Sequence, residues 1–205
     1  NYLKIKNYIV DEIIQDDLKL YYQIYLKKFL NVNIRASQSN WNNFYKFVKH
    51  NNTSKNFIFN EQISVLMEKE EHVFVKNGFL KENNVRIHPS FKKIKWFNTN
   101  IIDEESLIDK STVKYKFIIN KKIIEDGLFV RNWKSGDKCF SKYYNSYIKL
   151  SNVFINNKIT NFEKAQYPVV VNLDDEIISV PNLYNKTHYS LIRESDKKSI
   201  YWVSS

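Results

Sequence analysis

The sequence predicts an α+β fold: a helical N-terminal part with a small β-meander, then a domain with a mixed or antiparallel sheet and one or two short helices. Three observations lead there. Apolar residues recur every three or four positions from Tyr8 to Leu30, as on one face of a helix. From residue 56 onward the pattern changes to short β-type runs, and Val113–Ile119 alternates Val113, Tyr115 and Phe117 with Lys114 and Lys116. The 205 residues are 43% hydrophobic and 16% aromatic, which excludes a disordered chain. A chain this long buries enough surface to need no disulfide or metal staple.

The first helix carries Ile9, Ile13, Ile14, Leu18, Tyr22, Leu26 and Leu30 at helical spacing. Its acidic residues (Asp11, Glu12, Asp16, Asp17) come early and Lys27 and Lys28 come last, an order that suits the helix dipole. Ser37 or Ser39 can cap a second helix bearing Trp41, Phe44, Tyr45 and Val48. Asn56–Phe59, Gln62–Leu66 and His72–Val75 read as a three-stranded meander. Residues 77–90 are polar, hold a Gly and a Pro, and read as a linker. The chain thus divides into 1–76, a linker at 77–90, and 91–205. In the last part, Ile94–Phe97, Val113–Ile119, Leu128–Trp133, Tyr167–Val171 and Ile177–Val180 are expected strands. Tyr147–Ile155 and Asn161–Gln166 are expected helices, and Thr187–Glu194 with Ser199–Val203 a closing hairpin.

Composition removes several functions. Three glycines in the whole chain leave no Gly-rich phosphate cradle. His50, His72, His88 and His188 have no partner at a ligand spacing, and a lone Cys139 builds neither a disulfide nor a structural zinc site. Asp174, Asp175 and Glu176 sit between two hydrophobic runs and read as a solvated hairpin tip rather than an acid–base cluster. No apolar run approaches the roughly 20 residues of a membrane span, and Asn1–Ile9 has the look of neither a signal nor a transit peptide. The abundance of Asn, Lys and Ile is what AT-rich codon usage produces. The segment is expected to be non-catalytic, with no metal or cofactor of its own, and to be the rear part of a longer chain.

Charge is more informative. The chain holds 32 Lys and Arg against 22 Asp and Glu, a net +10. Half of that excess lies in residues 128–164, where Arg131, Lys134, Lys138, Lys142, Lys149, Lys158 and Lys164 face only Asp137 and Glu163. Trp133, Tyr143, Tyr144 and Tyr147 are interleaved with them. Cations release counterions from phosphates and aromatic faces stack on bases. A solvated lysine-rich face over core aromatics gives the same composition, so an RNA-binding surface and a protein–protein assembly module with a basic face both remain open.

Four segments carry a family resemblance. Val130–Asp137 (VRNWKSGD) resembles the R-x-x-x-x-G-D strand-to-turn signature that opens the C-terminal domain of tRNA(Ile)-lysidine synthetases. Lys149–Ile159 (KLSNVFINNKI) is similar to that family's K-L-K-K-L-F-x-D-x-K-I helix. Lys164–Val171 (KAQYPVVV) resembles its R-x-x-x-P-L-V segment, and Glu176–Leu183 (EIISVPNL) its E-I-x-x-V-P-G-L strand. The order is kept over about sixty residues. Thr160 stands where the family usually has Pro, and Asn182 and Tyr184 where it has Gly and Arg. Only Lys149 remains of the basic pair before the helix's Leu. The ATP-pyrophosphatase loop S-G-G-x-D-S is absent.

The resemblance implies the rear portion of a ligase that uses ATP, with Mg, to join lysine to the wobble cytidine of a tRNA(Ile) with a CAU anticodon. ATP, Mg and lysine would be bound by an N-terminal domain not present here. It further implies that 1–76 is the middle, substrate-binding helical domain and 91–205 the C-terminal tRNA-binding domain, with tRNA(Ile) as partner and a homodimer as a possible assembly. The compartment implied is a bacterial cytoplasm, or an organelle. Under the resemblance Arg131, Lys134, Lys138, Lys149 and Lys164 are expected phosphate contacts. Trp133 packs beneath them or stacks on RNA, and Gly136 and Asp137 form and brace a turn.

Overall fold

The computed structural model describes residues 2–12, 15–50, 55–141, 143–186 and 192–204. Ile13, Ile14, Lys142, His188 and most of the expected strand Thr187–Glu194 lie outside the described residues. The chain is α+β and divides into two compact units, Asn1–Lys81 and Glu82–Ser205. The described sheets pair antiparallel throughout.

In the first unit, β1 (Tyr2–Lys6) leads into α1 (Asn7–Glu12), α2 (Gln15–Leu30) and α3 (Gln38–Lys49). The meander follows as β2 (Asn56–Ile58), β3 (Ile63–Met67) and β4 (Glu71–Lys76). The sheet has four strands rather than the three expected, because β1 adds to the free edge of β4, Leu3 opposite Phe74 and Ile5 opposite His72. The polar–apolar alternation of the first residues is thus a strand pattern. Ser37 caps α3 by accepting from Asn40 N at 3.2 Å. One core joins helices and sheet: Leu18, Tyr22, Leu26 and Leu30 of α2, Trp41, Phe44 and Val48 of α3, and Ile63, Val65, Met67 and Phe74 of the strands.

The Tyr22 hydroxyl is a defect in that core. The side chain is fully buried, and its oxygen has no hydrogen-bond partner among the described residues. Burial, then the neighbouring Tyr21, pushes its pKa far above the ordinary tyrosine value. An unsatisfied buried hydroxyl costs about 1–3 kcal/mol. Tyr22→Phe is therefore expected to raise the first unit's stability by about 1 kcal/mol, read as a higher urea midpoint at unchanged slope. A lower midpoint would mean that the oxygen has a partner.

The second unit begins with a correction: the expected linker contains β5 (Asn84–Ile87), which pairs with β9 (Leu128–Asn132). Between them lie β6 (Lys93–Trp96), β7 (Thr99–Asp103), β8 (Val113–Asn120) and α4 (Lys121–Gly127). Next come β10 (Lys138–Ser141), β11 (Ser146–Lys149), α5 (Leu150–Asn156) and α6 (Asn161–Gln166). The chain closes through β12 (Pro168–Asn172), β13 (Ile177–Val180), β14 (Tyr184–Asn185) and β15 (Lys197–Ser204).

Two sheets, ordered β14-β13-β12-β9-β5 and β6-β7-β15-β8, share one core. Ile87, Leu128, Val130, Val170 and Ile178 come from the first, and Trp96, Ile101, Phe117, Ile200 and Trp202 from the second. The other face of the five-stranded sheet offers Val169, Val171, Ile177 and Val180 to Leu150 and Phe154 of α5. That sheet is covered on both sides, which is why β12 and β13 are continuous apolar runs. The last strand does not form the expected hairpin. β15 instead inserts between β7 and β8, where Ile200 and Trp202 face the core while Tyr201 and Val203 meet Ile102 on the opposite face. No helix among the described residues is long and apolar enough to cross a membrane.

Candidate nucleic-acid interface

The segment VRNWKSGD runs off the end of β9 into a tight turn. Asp137 N donates to Lys134 O at 3.1 Å, and Gly136, third in the turn, has φ +95, a conformation glycine reaches without steric cost. The Asp137 carboxylate accepts from Lys134 N at 2.7 Å and holds the Arg131 guanidinium with both oxygens at 2.9 Å. Its carbonyl accepts from Leu150 N at 2.8 Å. One aspartate thus ties the turn, the core arginine and the start of α5 together.

Arg131 corrects the first expectation. It is 2% exposed. Besides the bidentate pair with Asp137, its Nε donates to Asp175 Oδ1 at 2.6 Å and Nη1 to Asn132 O at 2.9 Å. Four of its five N–H donors are thus taken within the protein and the side chain is 3% exposed, which closes it to a phosphate. It is a brace. Asp175 stands on the expected exposed hairpin tip, its side chain 53% exposed, and from there forms the brace's second arm, held in left-handed conformation at φ +58 with Lys134 Nζ 3.4 Å from its other oxygen. Burial draws the Asp175 carboxyl up. The hydrogen bond and charge of Arg131, with Lys134, outweigh that and hold it below the usual carboxylate value. Glu176 pairs with Lys186.

Residues 147–149, expected to begin the helix Tyr147–Ile155, are strand instead. They belong to β11, which pairs with β10 as an isolated two-stranded ribbon. The register sets Lys138 opposite Lys149, Cys139 opposite Ile148, and Phe140 opposite Tyr147. Alternation puts Lys138, Phe140, Tyr147 and Lys149 on one face and Cys139 with Ile148 on the other. Cys139 is buried, which pushes its thiol pKa up and away from nucleophile chemistry. Both lysines are exposed, and neither pairs with a carboxylate among the described residues. Like charges directly across a ladder are destabilising, so the ribbon pays for keeping two unneutralised cations side by side. Tyr143 and Tyr144 at the tip are 87% and 67% exposed, and Tyr147 is 62% exposed.

The other predicted residues are less prominent. Trp133 is half-buried, edge-on to Phe154 at 5.9 Å and 77°, so it packs rather than standing free to stack. Lys164 is half-buried on α6, its ammonium 3.5 Å from Asn161 Oδ1. Lys134 is exposed but shares Asp175. Thr160 and Asn182, which differ from the motifs that their segments resemble, have local structural roles. Thr160 caps α6, accepting from Glu163 N while Glu163 accepts from Thr160 N, a complete capping box. Asn182, where the family has Gly, sits at φ +61, which Asn tolerates better than other side chains.

The reading above missed a cleft of about 480 Å³ behind the ribbon, lined by Phe140, Tyr147, Ile148, Val153, Asn156 and Tyr184 among others. Among the described residues, no group of His, Cys, Asp and Glu is placed to hold a metal ion.

A solved structure is similar to this chain. Its description reads "Crystal structure of TILS C-terminal domain", and the likeness covers 60% of this chain and 98% of that one, at 21% identity and a TM-score of 0.45. No family model matches the chain, and no curated protein does.

Proposed function

We propose that this chain is the RNA-gripping part of an enzyme like the tRNA(Ile)-lysidine synthetases. In this reading the second unit holds the tRNA body through phosphates, the first corresponds to the family's middle domain, and ATP, Mg and lysine are handled by a catalytic domain outside this sequence. The sequence support is the four ordered segments between Val130 and Leu183. The observation that carries the reading is the exposed ribbon, where Lys138 and Lys149 face each other with no carboxylate partner among the described residues. Lys134 adds a partly neutralised cation at the ribbon's base, and Lys164 a half-buried one on α6. Arg131 contributes by holding the turn rather than by touching RNA.

The test is a titration against a tRNA(Ile) with a CAU anticodon at several salt concentrations, with an elongator methionine tRNA as competitor. Each phosphate contact contributes about −0.7 to −0.9 to the slope of log K against log[salt]. Lys138→Ala with Lys149→Ala is expected to flatten that slope by about 1.4 to 1.8, because these two cations are unpaired in the free protein. Preference for the isoleucine tRNA would put part of the enzyme's selectivity in this portion. No salt-dependent binding by a folded chain would sink the reading and favour a protein-docking role for the basic face.

A further inference from the structure

We propose that the cleft between the β10–β11 ribbon, α5 and β14 receives the base of an unpaired RNA nucleotide, with the flanking phosphates on Lys138 and Lys149. The proposal rests on the RNA-binding reading above and adds to it the kind of nucleotide held.

The cleft's volume of about 480 Å³ falls within the roughly 300–1,000 Å³ of sites that enclose a small ligand. Phe140 and Tyr147 border the cleft from one face of the ribbon and Ile148 from the other, with Val153 of α5 and Tyr184 of β14 completing its lining. Asn156, at the end of α5, lines the same cleft and carries a side-chain amide. Planar rings beside an amide are what a splayed-out base needs: a face to stack on and a group that both donates and accepts along its edge. Paired bases in a duplex cannot enter such a cleft, because their faces are stacked and A-form RNA offers side chains only its shallow groove and backbone.

Charge selects the occupant. The two strands that wall the cleft carry Lys138 and Lys149 opposite each other, and the carboxylate lining it, Glu176, is neutralised by Lys186. A polyanion that also presents flat, polar-edged rings satisfies both features, and a nucleotide strand is that ligand. Tyr143 and Tyr144, exposed at the ribbon tip, extend the stacking surface along the same ribbon.

The test uses the full chain and two labelled RNAs: a blunt hairpin, and the same hairpin with a short single-stranded tail containing 2-aminopurine. The tailed RNA is expected to bind about tenfold more tightly, the change that one base–aromatic stack supplies, and its 2-aminopurine emission to fall on binding. Tyr147→Ala should abolish the preference and the fall in 2-aminopurine emission. Asn156→Ala, at an exposed position outside the core, should reduce the preference several-fold. Equal affinity for the two RNAs with unchanged emission overturns the cleft proposal while leaving phosphate gripping intact. A Tyr147→Ala chain that loses both RNAs equally, with Asn156→Ala neutral, overturns it as well. No salt-sensitive binding of either RNA overturns this proposal and the reading beneath it together.

Discussion

Arg131→Ala is expected to destabilise the second unit by about 3–5 kcal/mol, the loss found when one partner of a buried ion pair is removed. The side chain is almost wholly enclosed, and removing it strips the nearly buried Asp137 of two hydrogen bonds and Asp175 of one. The Asp137 carboxylate then keeps only Lys134 N, so the turn and the start of α5 loosen together. Denaturant unfolding followed by the fluorescence of Trp96, Trp133 and Trp202, all in this unit, measures the effect. Arg131→Met combined with Asp137→Asn should cost much less than the two single losses added, because no uncompensated carboxylate remains. The brace also carries a pH signature. Asp175 is held below its ordinary pKa, so its contribution is complete above the unfolded value near 3.9 and is lost as pH falls through the lower folded value. Stability of the native chain should therefore drop as the pH goes below about 4, and Asp175→Asn should make that drop shallower. An Arg131→Ala chain that stays fully stable but loses tRNA affinity would reverse the assignment and return Arg131 to the phosphates.

That reversal would matter because the motif was legible in the sequence while its role was not. R-x-x-x-x-G-D shows an arginine among lysines, and a basic run suggests a surface. Only the fold reveals that β9 is covered on both faces, which forces Arg131 inward and obliges two carboxylates to follow it. Asp175 lies 44 residues downstream of Arg131, and no local pattern links them. The alternating strand β8, the continuous apolar runs of β12 and β13 and the amphipathic α3 could be read directly, since the apolar pattern records which sides are buried. The ribbon was harder. Its eight paired residues read K-C-F-S and S-Y-I-K about a polar tip, a period-two pattern short enough to be absorbed into the helical spacing of Leu150, Val153 and Phe154 that follows. The cleft left no sequence signal, since its walls come from the ribbon, α5 and the β13–β14 region. Strand β15 was readable as a strand, but its insertion between β7 and β8 was not, because pairing partners are set by tertiary packing.

The ribbon's placement depends on one aromatic ring, and Phe154→Ala is expected to cost the second unit about 3–5 kcal/mol. α5 has seven residues and no side-chain N-cap, since Lys149 occupies that position. Two turns of helix do not persist in water by themselves. What holds this one is the burial of Leu150 and Phe154 against Val169, Val171, Ile177 and Val180, with the Phe154 ring 5.3 Å from Tyr167 and 5.9 Å from Trp133. Tyr167 is fixed in turn by donating to Pro181 O at 2.8 Å, so the ring sits in a rigid pocket that collapses poorly when emptied. Ile155, the next residue, is exposed, and Ile155→Ala should stay within about 0.5 kcal/mol of the native chain. The pair separates packing from helix propensity, because both substitutions put alanine into the same turn. Since Lys149 directly precedes Leu150, a loosened α5 also frees one strand of the ribbon. Phe154→Ala should therefore raise hydrogen exchange at the amides of β10 and β11 as well as in α5. Equal stability losses from the two substitutions would mean that α5 is held by its own backbone. Unchanged exchange in the ribbon would mean that the turn, through Asp137 and Leu150 N, suffices to hold Lys138 and Lys149 in place.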